Sequence, residues 1–337
     1  MAAVDPVGGD RGVLELKDIV HLVEDDLARV ETLFEDQVRS DVALVSEIAR
    51  YIREGGGKRI RPALLLLGCR LCGYRGDRSI LLASVVEFIH TATLLHDDII
   101  DQATVRRGRR SVNSRWGNDI TVLLGDFLYT KSMSMALSQD NLRILRLLSD
   151  VTLRMIEGEI LEIERCADVR MGVDDHLDII KRKTADLFSA CMRIGAMLGE
   201  VDGDRERSLA NYGLNLGICF QMVDDLLDFT ADEKVLGKPV ANDLREGKLT
   251  LPIIFLLRRA GPAAAEMVRA VLDDRGFGRV SRESLVEMAR EHGALEEARV
   301  LAERYAASAR QDLLGFERSP YRDALRALPD FILARDH

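Results

Sequence analysis

Residues 88–108, FIHTATLLHDDIIDQATVRRG, decide how the rest of the chain reads. A long apolar run ends in Asp97, Asp98 and Asp101, and Arg106 and Arg107 follow one to two turns later. In a helix, Asp97 and Asp101 stand about one 5.4 Å turn apart on one face, close enough to share cations. The pattern returns far along the chain in residues 220–229, FQMVDDLLDF, where Asp224, Asp225 and Asp228 repeat the spacing at the end of another apolar run. Two such helices are expected to oppose their acidic faces across a cavity. Six aspartates there would repel one another and lose hydration, so stability does not explain them. Divalent cations would. Hard carboxylate oxygens without His or Cys favour Mg²⁺, which is usually shared with substrate phosphates.

The chain has 337 residues and a formal net charge of −9. Only seven prolines and no Pro/Gly/Ser-rich linker occur, so one large domain is expected over residues 13–337, after a short disordered tail at 1–12. The acidic balance opposes nucleic-acid binding, which needs a basic face. Five cysteines without a ladder of spacings suggest a reduced, cytoplasmic protein, and the close pair Cys69 and Cys72 reads as helix core. The N-terminus lacks the charged-then-apolar order of a signal peptide, and no run of 18 uncharged apolar residues suggests a membrane span.

Onward from Val13 the apolar periodicity is helical, predicting an all-α chain. Helices are expected over 14–34, 42–52, 62–72, 77–101, 120–137, 142–164, 174–198, 206–230 and 249–259, and over 263–272, 281–292, 295–314 and 321–334. The 120–137 helix is apolar nearly all round, which suggests a central position. Residues 111–118, SVNSRWGN, read as a connector, and Gly213 and Gly217 as sites of close helix packing. The polar segment 231–252 suits a loop at a pocket mouth, or simply a solvated surface.

Basic residues surround these acidic helices in sequence. The glycines of GGGKRIRP, residues 55–62, would bring backbone N–H groups with Lys58, Arg59 and Arg61 to one anion; a helix cap with a solvated basic turn is the plainer alternative. His90 lies two turns before Asp97 on roughly the same face, either as a ligand contact or as core. With Arg106, Arg107, Lys183 and Lys248 there are cations for more than one diphosphate, the guanidinium forks binding phosphate in bidentate fashion. No Walker glycine loop, nucleophile elbow or HExxH occurs.

In this order GGGKRIRP, FIHTATLLHDDIID, RRG, GDFLYT, KT, FQMVDDLLD, DLREGKLTLP and the terminal YRDALRAL resemble the trans-prenyl diphosphate synthases, and among them the bacterial octaprenyl type, over nearly the whole chain. The resemblance implies an isoprenoid-synthase helical bundle around a deep cavity, joining isopentenyl diphosphate to an allylic diphosphate, and a homodimer. It implies Asp97, Asp101 and Asp224 as direct Mg²⁺ ligands, three ions being expected with substrate bound, and Asp98, Asp225 and Asp228 ligating or bridging through water. Arg106, Lys183, Lys248, Gln221 and Thr184 would serve the allylic diphosphate, and Lys58, Arg61, His90 and Arg107 the isopentenyl diphosphate. Lys238 would approach the leaving group from a mobile loop.

Small residues one turn before the first aspartates, Ala92 and Thr93, would let the product grow past them. Facing them, Met133, Ser134 and Ala136 offer few bulky stops, while Met135, Leu148 and Met155 read either as core or as a floor. A medium-to-long product is expected, roughly six to ten isoprene units. Its release would call for transient membrane contact or an acceptor protein. A shorter-chain synthase, a cyclase and a noncatalytic subunit of a heteromeric synthase are the alternatives. The second set of diphosphate-binding residues opposes a cyclase, and the intact aspartates and arginines oppose a noncatalytic subunit.

Overall fold

The structure is a computed structural model that describes residues 16–230 and 241–335. The expected tail and Lys238 lie outside the described residues. The chain opens with α1 (Leu16–His21), α2 (Glu24–Gln37), α3 (Ala43–Glu54), α4 (Ile60–Leu71) and the long α5 (Arg78–Ile100). A small antiparallel hairpin, β1 (Val105–Arg106) with β2 (Arg109–Arg110), leads into α6 (Val112–Trp116), α7 (Asn118–Leu137) and α8 (Leu142–Glu164). Then α9 (Val173–Ile180) runs through a π-helical turn, Lys181–Ala185, into α10 (Asp186–Leu198), and α11 (Gly203–Thr230) follows. The remainder comprises α12 (Asn242–Arg245), α13 (Leu251–Ala260), α14 (Pro262–Asp274), α15 (Arg282–Glu291), α16 (Ala294–Asp312) and α17 (Pro320–Leu333).

Local chemistry sets several boundaries. Asn141 caps α8 by accepting from the backbone N–H groups of Arg143 and Ile144, each at 3.1 Å. Ser319 caps α17, with Pro320 in its first turn. The single helix expected over 14–34 is instead two. Three consecutive acids, Glu24, Asp25 and Asp26, favour a fresh helix N-terminus, and α2 begins there.

The centre is built from α4, α5, α10 and α11. Leu64, Leu65, Leu66 and Leu67 are wholly buried, so α4 is apolar on every side and sits against α5 and α10. Gly213 and Gly217 let α11 meet α10 and the π turn, since a Cβ on them would lie 2.5 Å from Phe188 O and 2.6 Å from Ala185 Cα. Helix α5 is the one helix among the described residues long and apolar enough to cross a membrane, and 72% of that window is buried within the protein.

The expected central place of residues 120–137 is corrected. Helix α7 packs one face on α5 and leaves Val122, Leu123 and Leu137 exposed. Its all-round apolarity comes from two separate faces, only one of which meets the core. Residues 111–118 are likewise more than a connector, since the hairpin precedes them and α6 lies within them.

Candidate functional site

The two aspartate helices, α5 and α11, deliver Asp97 and Asp224 to the wall of one cavity of about 610 Å³. Lys58, Arg61, His90, Thr93, Arg106, Arg107, Lys183, Thr184 and Gln221 line the same space. Asp101, the C-cap of α5, faces an adjoining hollow of about 440 Å³ together with Lys248, Glu159, Glu162 and Glu246. Residues from separated stretches of sequence thus line these two hollows.

The six aspartates do not all face open space. Asp98 is buried and paired with Arg106, and its backbone carbonyl accepts from Asn113 at 3.0 Å. Asp225 is buried between His176 Nε2 at 2.8 Å and Gln221 Nε2 at 3.0 Å. Asp228 is buried too, accepting from the Asp243 N–H at 3.1 Å, while its own carbonyl accepts from Ala241 N at 2.6 Å. In each triplet the helical rotation of 100° per residue separates neighbouring carboxylates, so adjacent aspartates take different environments. This leaves Asp97, Asp101 and Asp224 on the open side.

Burial pushes the Asp97 carboxyl up to about 7, against the pull of Lys183. Burial alone would lower Lys183, but Glu162 and Glu159, at 2.6 and 2.7 Å from Nζ, outweigh it and hold the ammonium above its ordinary value. Lys248 is raised in the same way, its burial overcome by Glu162, Asp101 and Glu246, the last two at 2.7 and 2.8 Å. Both lysines stay charged. They are presented by unusual backbone. Lys183 belongs to the π turn, against which α8 packs so closely that a Cβ on Gly158 would stand 2.9 Å from the Lys183 nitrogen.

The same lining carries a second basic group, Lys58, Arg61, His90 and Arg107. Arg61 Nη1 donates to His90 Nε2 at 3.0 Å, and its guanidinium lies over the Phe188 ring, 4.9 Å from the centroid. Arg61 Nε is buried without a hydrogen-bond partner among the described residues. Burial, then Arg61 and Arg107, hold His90 well below the usual imidazole range, so the ring is neutral. Burial and Arg335 also lower Lys58, against Asp224. Arg107 sits in the hairpin turn at φ +52°, followed by Gly108 at +73°, and its guanidinium lies on the Gly56 carbonyl and Gly57. Arg59 is different. Its guanidinium turns to Glu31 and Glu87, which fix the left-handed N-cap of α4 at φ +45°.

Among the described residues no group of three or more His, Cys, Asp or Glu side chains is placed to hold a cation alone. The cavity-facing oxygens nevertheless fit magnesium, because an all-carboxylate set completed by substrate phosphates is its usual environment. The unpartnered Arg61 Nε and the depressed Lys58 mark where an anion is needed.

The polyprenyl synthetase family model matches residues 42–288. The chain belongs to the polyprenyl synthetase family. It is a prenyltransferase with the isoprenoid-synthase helical fold, and the family is magnesium-dependent. Its relatives include the octaprenyl diphosphate synthase of Escherichia coli K12, 38% identical over 323 residues, covering 96% of this chain and all of the relative. A polyprenyl synthase from Caulobacter crescentus, solved with calcium and isoprenyl diphosphate, superposes with a TM-score of 0.91 at 37% identity, over 97% of this chain and all of that one. A decaprenyl diphosphate synthase from Rhodobacter capsulatus gives 0.91 at 35%, over 96% and 100%.

Sequence reasoning alone missed several groups in this synthase. Glu159 and Glu162 look like ordinary acids on an amphipathic helix, yet they hold Lys183. His176 carries no motif, and Arg335 stands alone near the end of the sequence, though it donates to Asp224 at 2.7 Å. Only the i, i+3 spacing of Glu159 and Glu162, opposite a predicted Lys183, offered a signal.

Proposed function

We propose that the chain extends an allylic diphosphate with successive isopentenyl units to a medium-to-long all-trans polyprenyl diphosphate of the octaprenyl class. The observation that carries this is the pairing of Asp97 and Asp224 on one cavity that Lys58, Arg61, His90 and Arg107 also line. A cyclase has no second diphosphate to place there.

Asp97, Asp101 and Asp224 would hold magnesium directly, three ions with both substrates bound. Asp98, Asp225 and Asp228 act from behind through their protein partners and water. Magnesium, when bound, supplies Lewis-acid stabilisation of the leaving diphosphate. Arg106, Lys183 and Lys248 bind that diphosphate and stabilise the charge it gains as the bond to the allylic carbon breaks; Thr184 and Gln221 orient it. Lys58, Arg61, neutral His90 and Arg107 fix the isopentenyl diphosphate so that its double bond meets the allylic carbon. Bond formation from the terminal carbon of that double bond leaves a tertiary cation on the isopentenyl unit; the proton on its C2 then passes to the departing diphosphate and the C–H electrons form the new double bond, for no side chain among the described residues stands as a base. Lys238 is proposed to approach from the segment outside the described residues.

Thr93, Leu94 and Met155 line the cavity, and Ala92 and Ala136 are buried behind. Met133 is partly buried, and Met135 and Leu148 lie in the core, whereas Ser134 is exposed and forms no inner wall. The absence of bulk at Ala92 and Thr93 supports the long product. We also propose a homodimer. Leu153, Ile156, Ile160 and Ile163 form an exposed apolar stripe along α8, with Leu123 exposed on α7, as a second copy would cover.

Purified protein with Mg²⁺, isopentenyl diphosphate and farnesyl diphosphate should give a polyprenyl diphosphate identified by mass. Asp97→Ala and Asp224→Ala should each lower kcat/KM by roughly a hundredfold or more. Undiminished magnesium-dependent diphosphate release by both variants would overturn the reading.

A further inference from the structure

Arg335, just beyond α17, donates from Nη1 to Asp224 Oδ1 at 2.7 Å. Its guanidinium carbon lies 5.0 Å from the centroid of the Phe220 ring, which fixes it on the cavity wall. Its side chain is only 15% exposed. Its Nε is buried with no hydrogen-bond partner among the described residues, so a fork of five donors is poorly used. Arg335 also stands close enough to Lys58 to disfavour that ammonium. The guanidinium therefore stands beside both the carboxylate of α11 and Lys58.

Such a position is a poor structural clamp and a good counter-ion. A carboxylate facing a cavity among other acids is stabilised by positive charge beside it, and a divalent cation on Asp224 would repel a guanidinium at hydrogen-bond distance. Released from Asp224, Arg335 would need another anion, and the nearest vacant demand for one is at Lys58 and Arg61. We propose that Arg335 neutralises Asp224 in the metal-free synthase and exchanges partners on loading, giving Asp224 to the cation and turning its fork to the second diphosphate. Metal loading and binding of that diphosphate are thereby coupled. The proposal rests on the reading of Asp224 as a metal ligand.

Calorimetric titration of the full chain tests it without turnover. Wild type, Arg335→Gln, Arg335→Lys and Lys58→Gln are titrated with Mg²⁺ alone and with Mg²⁺ in the presence of inorganic diphosphate, then with isopentenyl diphosphate in the presence and absence of Mg²⁺. Arg335→Gln should bind Mg²⁺ about two- to fivefold more tightly than wild type, the range expected for releasing one partly exposed ion pair. Lys58→Gln should gain less, because it removes charge without freeing Asp224, and Arg335→Lys should lie between. Wild type should bind isopentenyl diphosphate more tightly with Mg²⁺ than without, and Arg335→Gln should lose most of that gain. Equal Mg²⁺ affinity in wild type and Arg335→Gln, or an unchanged gain, overturns the exchange while leaving the metal site standing. No Mg²⁺ binding by wild type in the presence of inorganic diphosphate overturns the reading of Asp224 itself, and the exchange with it.

Discussion

His176 Nε2 lies 2.8 Å from Asp225 Oδ2, a buried contact that ties α9 to the back of the second aspartate helix. Asp225 Oδ1 accepts from Gln221, whose own oxygen accepts from Thr184 at 2.8 Å, so one chain of hydrogen bonds runs from the wall to the cavity. His176→Phe leaves Asp225 Oδ2 without its His176 partner and should cost about 1–3 kcal/mol, read from urea denaturation. The KM for the allylic substrate should rise while that for isopentenyl diphosphate holds, and His176→Gln, which keeps a donor, should recover part of both.

A second expectation concerns pH. His90 has its proton affinity depressed by burial and by Arg61 and Arg107, so the folded chain leaves neutral an imidazole that the unfolded chain protonates below its ordinary value of 6.5. Above that value both states are neutral and His90 has no effect; as pH falls below it, the unfolded state takes up a proton and folding weakens, by at most about 1.4 kcal/mol per pH unit. His90→Gln should flatten this share of the acid-side decline in ligand-free denaturation curves. Identical pH slopes for the two proteins would refute the neutral ring.

Product length should respond differently at neighbouring positions. Thr93 lines the cavity, whereas Ala92 is 3% exposed and packed in the core behind it. Thr93→Phe should shorten the products seen by reversed-phase chromatography with little change in stability. Ala92→Phe must also overpack α5, at about 1–3 kcal/mol.

Paired substitutions Ile156→Glu and Ile160→Lys place charge in the middle of the α8 stripe without entering the core, since both residues are more than half exposed. Light scattering should then find monomers where the parent chain gives dimers. Retention of dimers would move the interface elsewhere.

The aspartates and His90 were legible because the spacing of a short motif places them on helix faces, and the basic residues because they stand in short motifs next to helix ends and turns. What was not legible depends on contacts remote in sequence. Glu159 and Glu162 differ from solvated acids only because Lys183 meets them, and Arg335 differs from any terminal arginine only because α17 ends beside α11. The hairpin is too brief for an alternating pattern. The sixfold aspartate face was overread, since consecutive positions on a helix point apart and half of the carboxylates were free to find partners inside the protein.

The π turn at residues 181–185 carries one residue more than a regular helix would need there. Each residue advances a helix by about 100°, so losing one from this turn would rotate either the α9 half, with His176, or the α10 half, with its buried face, out of phase with its neighbours. A single-residue deletion should therefore be more damaging to folding than any one substitution in the turn, and lineages related to this chain should vary its letters other than Lys183 and Thr184 far more readily than its length.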